Sequence, residues 1–131
     1  MDKLSTNVIS EVVSDNKEVF GGVGINRNIF KKYLADIAVP SDIHIKIIDT
    51  GVYCDEYFEV AERLAENHNN KIILISASSA QFMREAIGER KFLDFYSKSN
   101  VFFLTTPVSF KEAKIVVDTF IKFHSPELEK I

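Results

Sequence analysis

The sequence has little of what several classes of protein require. It contains one cysteine, Cys54, which excludes an internal disulfide, and it contains no tryptophan. No apolar run approaches the roughly 20 residues that a membrane-spanning helix needs. The start, MDKLSTNVISE, lacks the basic block and following apolar block of a secretory signal. We therefore expect no membrane span and a location in a reducing cytoplasm.

Clusters of basic residues and of metal ligands are also missing. The formal net charge is −3 and the 16 basic residues are scattered, which argues against nucleic acid as the main partner. His44, His68 and His124 show no ligand-like spacing. The sequence thus predicts no metal site, and it contains no recognisable signal for a cofactor.

What is present is a repeated alternation of apolar runs and amphipathic segments. The length of 131 residues predicts a single domain over residues 1–131, with a short tail at 124–131. Nearly all-apolar runs are typical of strands covered on both faces of a parallel sheet. Such runs occupy 43–49, 71–77 and 101–106, and a glycine-rich fourth candidate occupies 17–25.

Helical periodicity follows each predicted strand. Helices are predicted over 28–38, 55–68, 79–97 (interrupted at Gly88) and 110–123. Ser109 and Glu112 form a capping box at the start of the last helix, and Ser78 is the predicted cap of the third. Four strand–helix repeats predict an α/β domain with right-handed crossovers and a mainly parallel sheet of four to five strands. Residues 7–13 fit either a helix or the first strand of an N-terminal β-hairpin.

Parallel sheets bind ligands at the carboxyl ends of their strands. The interaction or modification candidates at those ends are Asp49, Thr50, Asp55, Tyr57, Ser78 and Thr106. A weaker prediction is a phosphate-binding turn at Gly21, Gly22 and Gly24. Asp49 and the glycines also have structural interpretations: Asp49 is a turn aspartate that caps Gly51, and the glycines form a tight turn with close packing. Phe92, Phe95, Tyr96, Phe102 and Phe103 are interpreted first as core, with a partner-binding surface as the alternative.

The stretches IIDTGVYCDEYFEVAERL, IILISA and FFLTTPVSFKEA resemble the later half of a receiver domain, the phosphoacceptor module of response regulators. The family's strand-end aspartate matches Asp49, and its strand-end hydroxyl matches Ser76 or Ser78. Its Lys-Pro pair matches Thr106-Pro107, where the lysine is replaced. No acidic pair ends a first strand, so the resemblance implies a pseudo-receiver that does not run the phosphorylation cycle.

A second resemblance covers nearly the whole chain if residues 7–13 form a strand. KIIDTGV and MREAIGERKFLDFYSKSNVFFL are similar to segments of a STAS domain, the anti-sigma-factor-antagonist fold. That family begins with a β-hairpin and carries a serine in its regulatory loop, where this sequence has Cys54, Asp55, Glu56 and Tyr57. Both resemblances stay open at this point.

The sequence therefore predicts a non-catalytic bacterial signalling or regulatory module that binds another signalling protein or forms a homodimer. Its mechanism would be docking, with or without a modification switch at the strand-end loops. The alternative is a small phosphate- or nucleotide-binding domain or enzyme that uses the Gly21–Gly24 loop and Asp49.

Overall fold

The computed structural model describes residues 10–21, 25–51, 55–106 and 108–123. Five strands carry the sheet: β1 Ser10–Ser14, β2 Lys17–Gly21, β3 His44–Asp49, β4 Asn70–Ser76 and β5 Val101–Thr105. The described ranges contain five helices, which cover the sheet: α1 Ile25–Asp36, α2 Asp55–Ala65, α3 Ala80–Ile87, α4 Glu89–Tyr96 and α5 Phe110–Phe123. No helix within these ranges is both long and apolar enough to cross a membrane.

The strands lie in the order in which they occur in the chain, β1-β2-β3-β4-β5. β1 is antiparallel to β2, and the three following pairs are parallel. The predicted α/β class, the mainly parallel sheet and the N-terminal hairpin are thus confirmed. Residues 10–13 are strand rather than helix, and residues 7–9 lie outside the described ranges.

Two hydrophobic layers enclose the sheet because side chains alternate along each strand. On the first face, α1 and α5 pack over a cluster that includes Val19, Ile45, Ile47, Ile73 and Ile75. On the second face, α2, α3 and α4 pack over a separate cluster that includes Phe20, Ile48, Ile72, Leu74 and Val101. β3 and β4 contribute to both clusters, which explains the consecutive apolar residues Ile47 and Ile48 in β3 and Ile72 to Ile75 in β4.

The placement of α1 contradicts the prediction that all crossovers are right-handed. β2, β3 and β4 are parallel and consecutive in the sheet, yet α1 lies on the first face and α2 on the second. Two crossover connections that step to the next strand in the same direction across the sheet, but pass over opposite faces of it, have opposite handedness. One of them is therefore left-handed, an arrangement found in only about 2% of such units. The packing of Phe30, Tyr33 and Leu34 against Val19 and against α5 holds α1 on the first face.

Local signals fix two helix starts, one of them at a position other than the predicted one. The Ser109 hydroxyl accepts from the amide of Glu112 at 3.0 Å, and the Glu112 carboxylate accepts from the amide of Ser109 at 3.0 Å, as expected for a capping box. The prediction of Ser78 as the cap of α3 was wrong. Ser79 has the extended backbone of a cap, and its hydroxyl accepts from the amide of Phe82 at 3.1 Å.

The interruption at Gly88 is confirmed. Gly88 ends α3 and begins α4. Its φ is 107°, a backbone conformation that residues other than glycine rarely adopt. The break turns one amphipathic run into two short helices. Met83 of α3 and Phe92 and Phe95 of α4 can then all enter the same core cluster.

Candidate functional site

At the carboxyl edge of the sheet, the chain leaves two neighbouring strands toward opposite faces. α1 follows β2 onto the first face, whereas α2 follows β3 onto the second. Gly21 and Asp49, the last residues of β2 and β3, are paired in the register of the sheet. Open α/β sheets place their ligand crevices at such switch points. This edge is therefore the expected position of a ligand site.

Asp49 is held in a turn at the end of β3. Its side chain is 3% exposed, and Oδ1 accepts a hydrogen bond from the amide of Gly51 at 2.9 Å. Gly51 has φ 62°, which allows the chain to reverse immediately after the strand. This geometry confirms the structural reading of Asp49 as a turn aspartate. It also keeps the carboxylate away from solvent and from incoming ligands.

Thr50 is buried beside Asp49 and is bound to the neighbouring strand. Its amide donates to the carbonyl of Ile75 at 2.8 Å, and its hydroxyl lies 3.2 Å from the same oxygen. The amide of Ala77 donates in turn to the carbonyl of Gly51 at 2.7 Å. The β3 loop is thus attached to the end of β4 by backbone bonds. The Thr50 hydroxyl serves this attachment.

The ends of β4 and β5 are joined in the same way. Ser76 is fully buried, and its hydroxyl accepts from the amide of Ser78 at 2.9 Å. The amide of Thr106 donates to the carbonyl of Ser76 at 2.9 Å. Of the other predicted site residues, Asp55 is exposed in the first turn of α2, and the side chains of Ser78 and Thr106 are half-buried. The Ser76 hydroxyl is therefore engaged within the edge of the sheet.

Gly21 is a close-packing residue. It has φ 67°, and a Cβ atom built on it would lie 2.2 Å from the carbonyl oxygen of Asp49 and 2.9 Å from the ring of Tyr57. The ring of Tyr57 therefore covers the end of β2, where the predicted phosphate-binding turn begins. Gly22 and Gly24, with Cys54 and Pro107, lie outside the described residues.

No group of three histidine, cysteine or acidic side chains is placed to hold a metal ion anywhere in the described ranges. At the carboxyl edge, Asp49 is the acidic residue that ends β3, and its bond to Gly51 occupies Oδ1. A single carboxylate that is also a turn acceptor is a poor magnesium ligand set. The described residues of this edge provide hydrogen-bonding groups, most of them engaged within the sheet.

A different surface lies at the outer edge of β5. We call Leu93, Tyr96, Phe102 and Phe103 the aromatic surface; the first three are 45%, 48% and 43% exposed. Tyr96 and Phe103 lie on the second face with ring centroids 6.2 Å apart, whereas Phe102 lies on the first face. A shallow cleft of about 220 Å³ lies between Tyr96, Val101, Phe102 and Phe103 at this edge.

The sequence indicated this group of aromatic residues but not which of its members are buried and which are exposed. Phe92 and Phe95 are each 2% exposed, which confirms the core interpretation for them. Tyr96 and Phe102 are about half exposed, so the core interpretation is wrong for these two. The exposure of Phe102 depends on β5 being an edge strand, which only the sheet order reveals.

Comparison with known proteins adds no further constraint: no family model, no curated protein and no solved structure matches the chain.

Proposed function

We propose that the chain is a non-catalytic regulatory module that works by binding another protein, and that the aromatic surface is its docking site. The observation that carries this proposal is the cluster of half-exposed rings around β5. Single exposed apolar side chains are ordinary, whereas a contiguous cluster is typical of binding surfaces. Aromatic residues are also enriched where interfaces are most fully buried.

The edge strand gives the surface a second means of recognition. β5 pairs with β4 on one side and is the last strand of the sheet on the other. The outward backbone groups of an edge strand can accept an added strand from a partner. Phe102 on one face of the sheet and Phe103 on the other would then contact the added strand from both sides.

The chemistry of the carboxyl edge supports a non-catalytic role. Asp49 and Thr50 are 3% and 7% exposed, and both make hydrogen bonds within the sheet. Tyr57 lies over Gly21, where the alternative function would need room for a phosphate. The antiparallel β1–β2 hairpin supports a STAS-like context, since that family begins with such a hairpin. A cytoplasmic signalling role for the module belongs to the same proposal.

A photocrosslinking experiment tests the docking site. The photoreactive amino acid p-benzoylphenylalanine replaces Phe102 in one variant and Val12 in the other. Val12 is the matched control because it is a 65% exposed apolar residue on β1, the opposite edge strand. Irradiation in the native cells should give a discrete protein adduct at position 102 that is absent at position 12.

The adduct should also disappear when Tyr96→Ser is added to the Phe102 variant, because Tyr96 supplies the neighbouring ring. Circular dichroism checks that the double variant remains folded. Identical adducts at both positions, or none at position 102, would refute the aromatic surface as the docking site.

A further inference from the structure

The backbone of β5 is bonded to β4 through alternate residues. The amide of Ile72 donates to the carbonyl of Asn100 at 2.8 Å, just before β5 begins. At the other end of the strand, the amide of Thr106 donates to the carbonyl of Ser76 at 2.9 Å. Because backbone groups alternate in direction along a strand, the even-numbered residues of β5 point their amides and carbonyls toward β4. The residues whose backbone groups point away from the sheet are Val101, Phe103 and Thr105.

Most of these outward groups are open to an added strand. The amide of Val101 is the exception, because it donates to the carbonyl of Lys98 at 3.2 Å. No strand within the described ranges lies beyond β5 in the sheet. The carbonyl of Val101 and both backbone groups of Phe103 and of Thr105 therefore face outward without a strand to pair with in the described part of the chain.

The outward groups of β5 match those of a second copy of the same strand in antiparallel orientation. A two-fold axis at Phe103 places this residue opposite itself, so that the two copies exchange both of its backbone hydrogen bonds. On each side of the axis, the amide of Thr105 then meets the carbonyl of Val101 in the second copy. That carbonyl is the outward group of Val101 that the bond to Lys98 leaves open. The register uses the whole strand, Val101–Thr105.

The same register brings apolar side chains together on both faces of the sheet. On the first face, Phe102 lies opposite Leu104 of the second copy, because the two positions are equally far from the axis. On the second face, Phe103 lies beside its own copy. Tyr96 extends this row of rings, since its ring centroid is 6.2 Å from that of Phe103. Aromatic and apolar cross-strand pairs stabilise neighbouring strands, so the aromatic surface is complementary to itself.

The distribution of charge favours self-pairing at β5 and disfavours it at β1. A two-fold axis brings two copies of one strand together, so any charge on the strand is met by the same charge nearby. The sequence of β5, VFFLT, contains no charged residue and no proline. β1, the opposite edge, carries Glu11, whose carboxylate forms an ion pair with Lys31. Charged side chains on an edge strand discourage the addition of another strand.

We infer that the aromatic surface binds a second copy of this chain, with β5 paired antiparallel to β5 about a two-fold axis at Phe103. The two sheets become one continuous sheet, and each copy covers the open edge of the other. The pairing rests on the proposed docking surface and identifies its partner.

Analytical ultracentrifugation of the purified protein between roughly 1 μM and 1 mM measures the self-association. The average mass should rise with concentration from 14.9 kDa toward twice that value and then stay constant. A mass of 14.9 kDa throughout would overturn the inference. Continued growth beyond a dimer would also overturn it, because a two-fold interface closes on itself.

Thr105→Pro tests the register. It removes the outward amide of an exposed residue but no bond to β4, and proline is tolerated at such positions of edge strands. The dissociation constant should rise at least about tenfold, because a hydrogen bond is lost on each side of the axis. Thr105→Val is the matched control, since it keeps the amide and should leave the dissociation constant unchanged.

Phe102→Glu covers the case in which Thr105→Pro does not fold, as judged by circular dichroism. Phe102 is 43% exposed, and a carboxylate there would be placed against Leu104 of the second copy, so the dimer should be lost. Val12→Glu puts the same charge on a 65% exposed position of β1 and should leave the dimer intact. An unchanged dissociation constant in either folded β5 variant would refute the pairing.

The crosslinking experiment at position 102 separates the failure of this pairing from the failure of the proposed function. An adduct of twice the chain mass supports both. A monomeric purified protein that gives an adduct with a different protein at position 102 refutes the pairing and leaves the docking site in place. A monomeric protein without any adduct at that position refutes both.

Discussion

The side-chain amide of Asn100 donates to the carbonyl of Ala65 at 2.9 Å, across 35 residues of sequence. The same nitrogen reaches the carbonyl of Asn70 at 3.0 Å, and the carbonyl of Asn100 accepts from the amide of Ile72 at 2.8 Å. Asn100 therefore joins the end of α2 and the starts of β4 and β5. It is 3% exposed, so water cannot replace these bonds.

Asn100→Ala should lower the free energy of unfolding by about 2–3 kcal/mol, because buried carbonyls lose their donor and a small cavity opens. Asn69→Ala is the control, since Asn69 is an exposed asparagine in the connection that precedes β4 and should change stability by less than about 0.5 kcal/mol. Urea denaturation followed by circular dichroism measures both. Similar losses for the two variants would contradict the assigned role of Asn100.

Gly21 and Gly51 provide a matched pair that separates backbone strain from steric contact. Both have positive φ, 67° and 62°, but a Cβ atom on Gly51 would meet nothing within 4 Å. Gly51→Ala should therefore cost only the roughly 1–2 kcal/mol of a left-handed backbone. Gly21→Ala should cost at least about twice as much, because the new methyl group would collide with the Asp49 carbonyl and the Tyr57 ring. Chemical denaturation of both variants tests this, and equal losses would argue against close packing at Gly21.

Asp49 should stabilise the turn without accepting a phosphoryl group. Incubation with acetyl phosphate and Mg²⁺ should leave the intact mass of the protein unchanged, because the carboxylate is buried and engaged with Gly51. A phosphoryl adduct present in the natural protein and absent in Asp49→Asn would contradict the non-catalytic reading. Asp49→Ala should lower the free energy of unfolding by about 1–2 kcal/mol, since the amide of Gly51 loses its acceptor.

Tyr33 should make stability depend on pH in the alkaline range. Burial, with a smaller contribution from the charge of Asp118, raises the pKa of Tyr33 from 10.0 to about 12. Between these values the unfolded chain has already released the phenolic proton that the folded chain retains. The contribution of Tyr33 is thus fully present below pH 10 and is lost as the pH rises toward 12.

The measurement compares the natural protein with Tyr33→Phe by urea denaturation between pH 8 and the alkaline limit of folding, where the variant lacks the titrating phenol. The natural protein should lose stability more steeply than the variant above pH 10. Parallel curves would show that the hydroxyl of Tyr33 does not titrate differently in the folded and unfolded states.

Local chemistry made much of the fold predictable. The four later strands were expected at positions that differ from the observed bounds by a few residues at most, because their apolar runs end at turn residues. Asp49 and Gly51 form the expected turn, and Ser109 and Glu112 form the expected capping box. In each case the interacting groups are within three residues of one another.

The features that sequence reasoning missed depend on distant parts of the chain. The contact between Gly21 and Tyr57 spans 36 residues, and the cleft lined by Lys71, Phe102 and Phe120 collects residues from three separate segments. The position of α1 on the first face is set by its packing against α5 rather than by its own periodicity. An amphipathic stripe predicts that a helix has a buried side but not which face of the sheet receives it.

The two helical layers also differ in when they can form during synthesis. The layer of α2, α3 and α4 is encoded by one continuous stretch and is available once β5 has left the ribosome. The layer of α1 and α5 combines the first and the last of the described helices, so α1 lies on an incompletely covered sheet face until translation has passed Phe123. A nascent chain therefore keeps this face exposed for longer than the other, and chaperones that recognise apolar surface have more time to bind there.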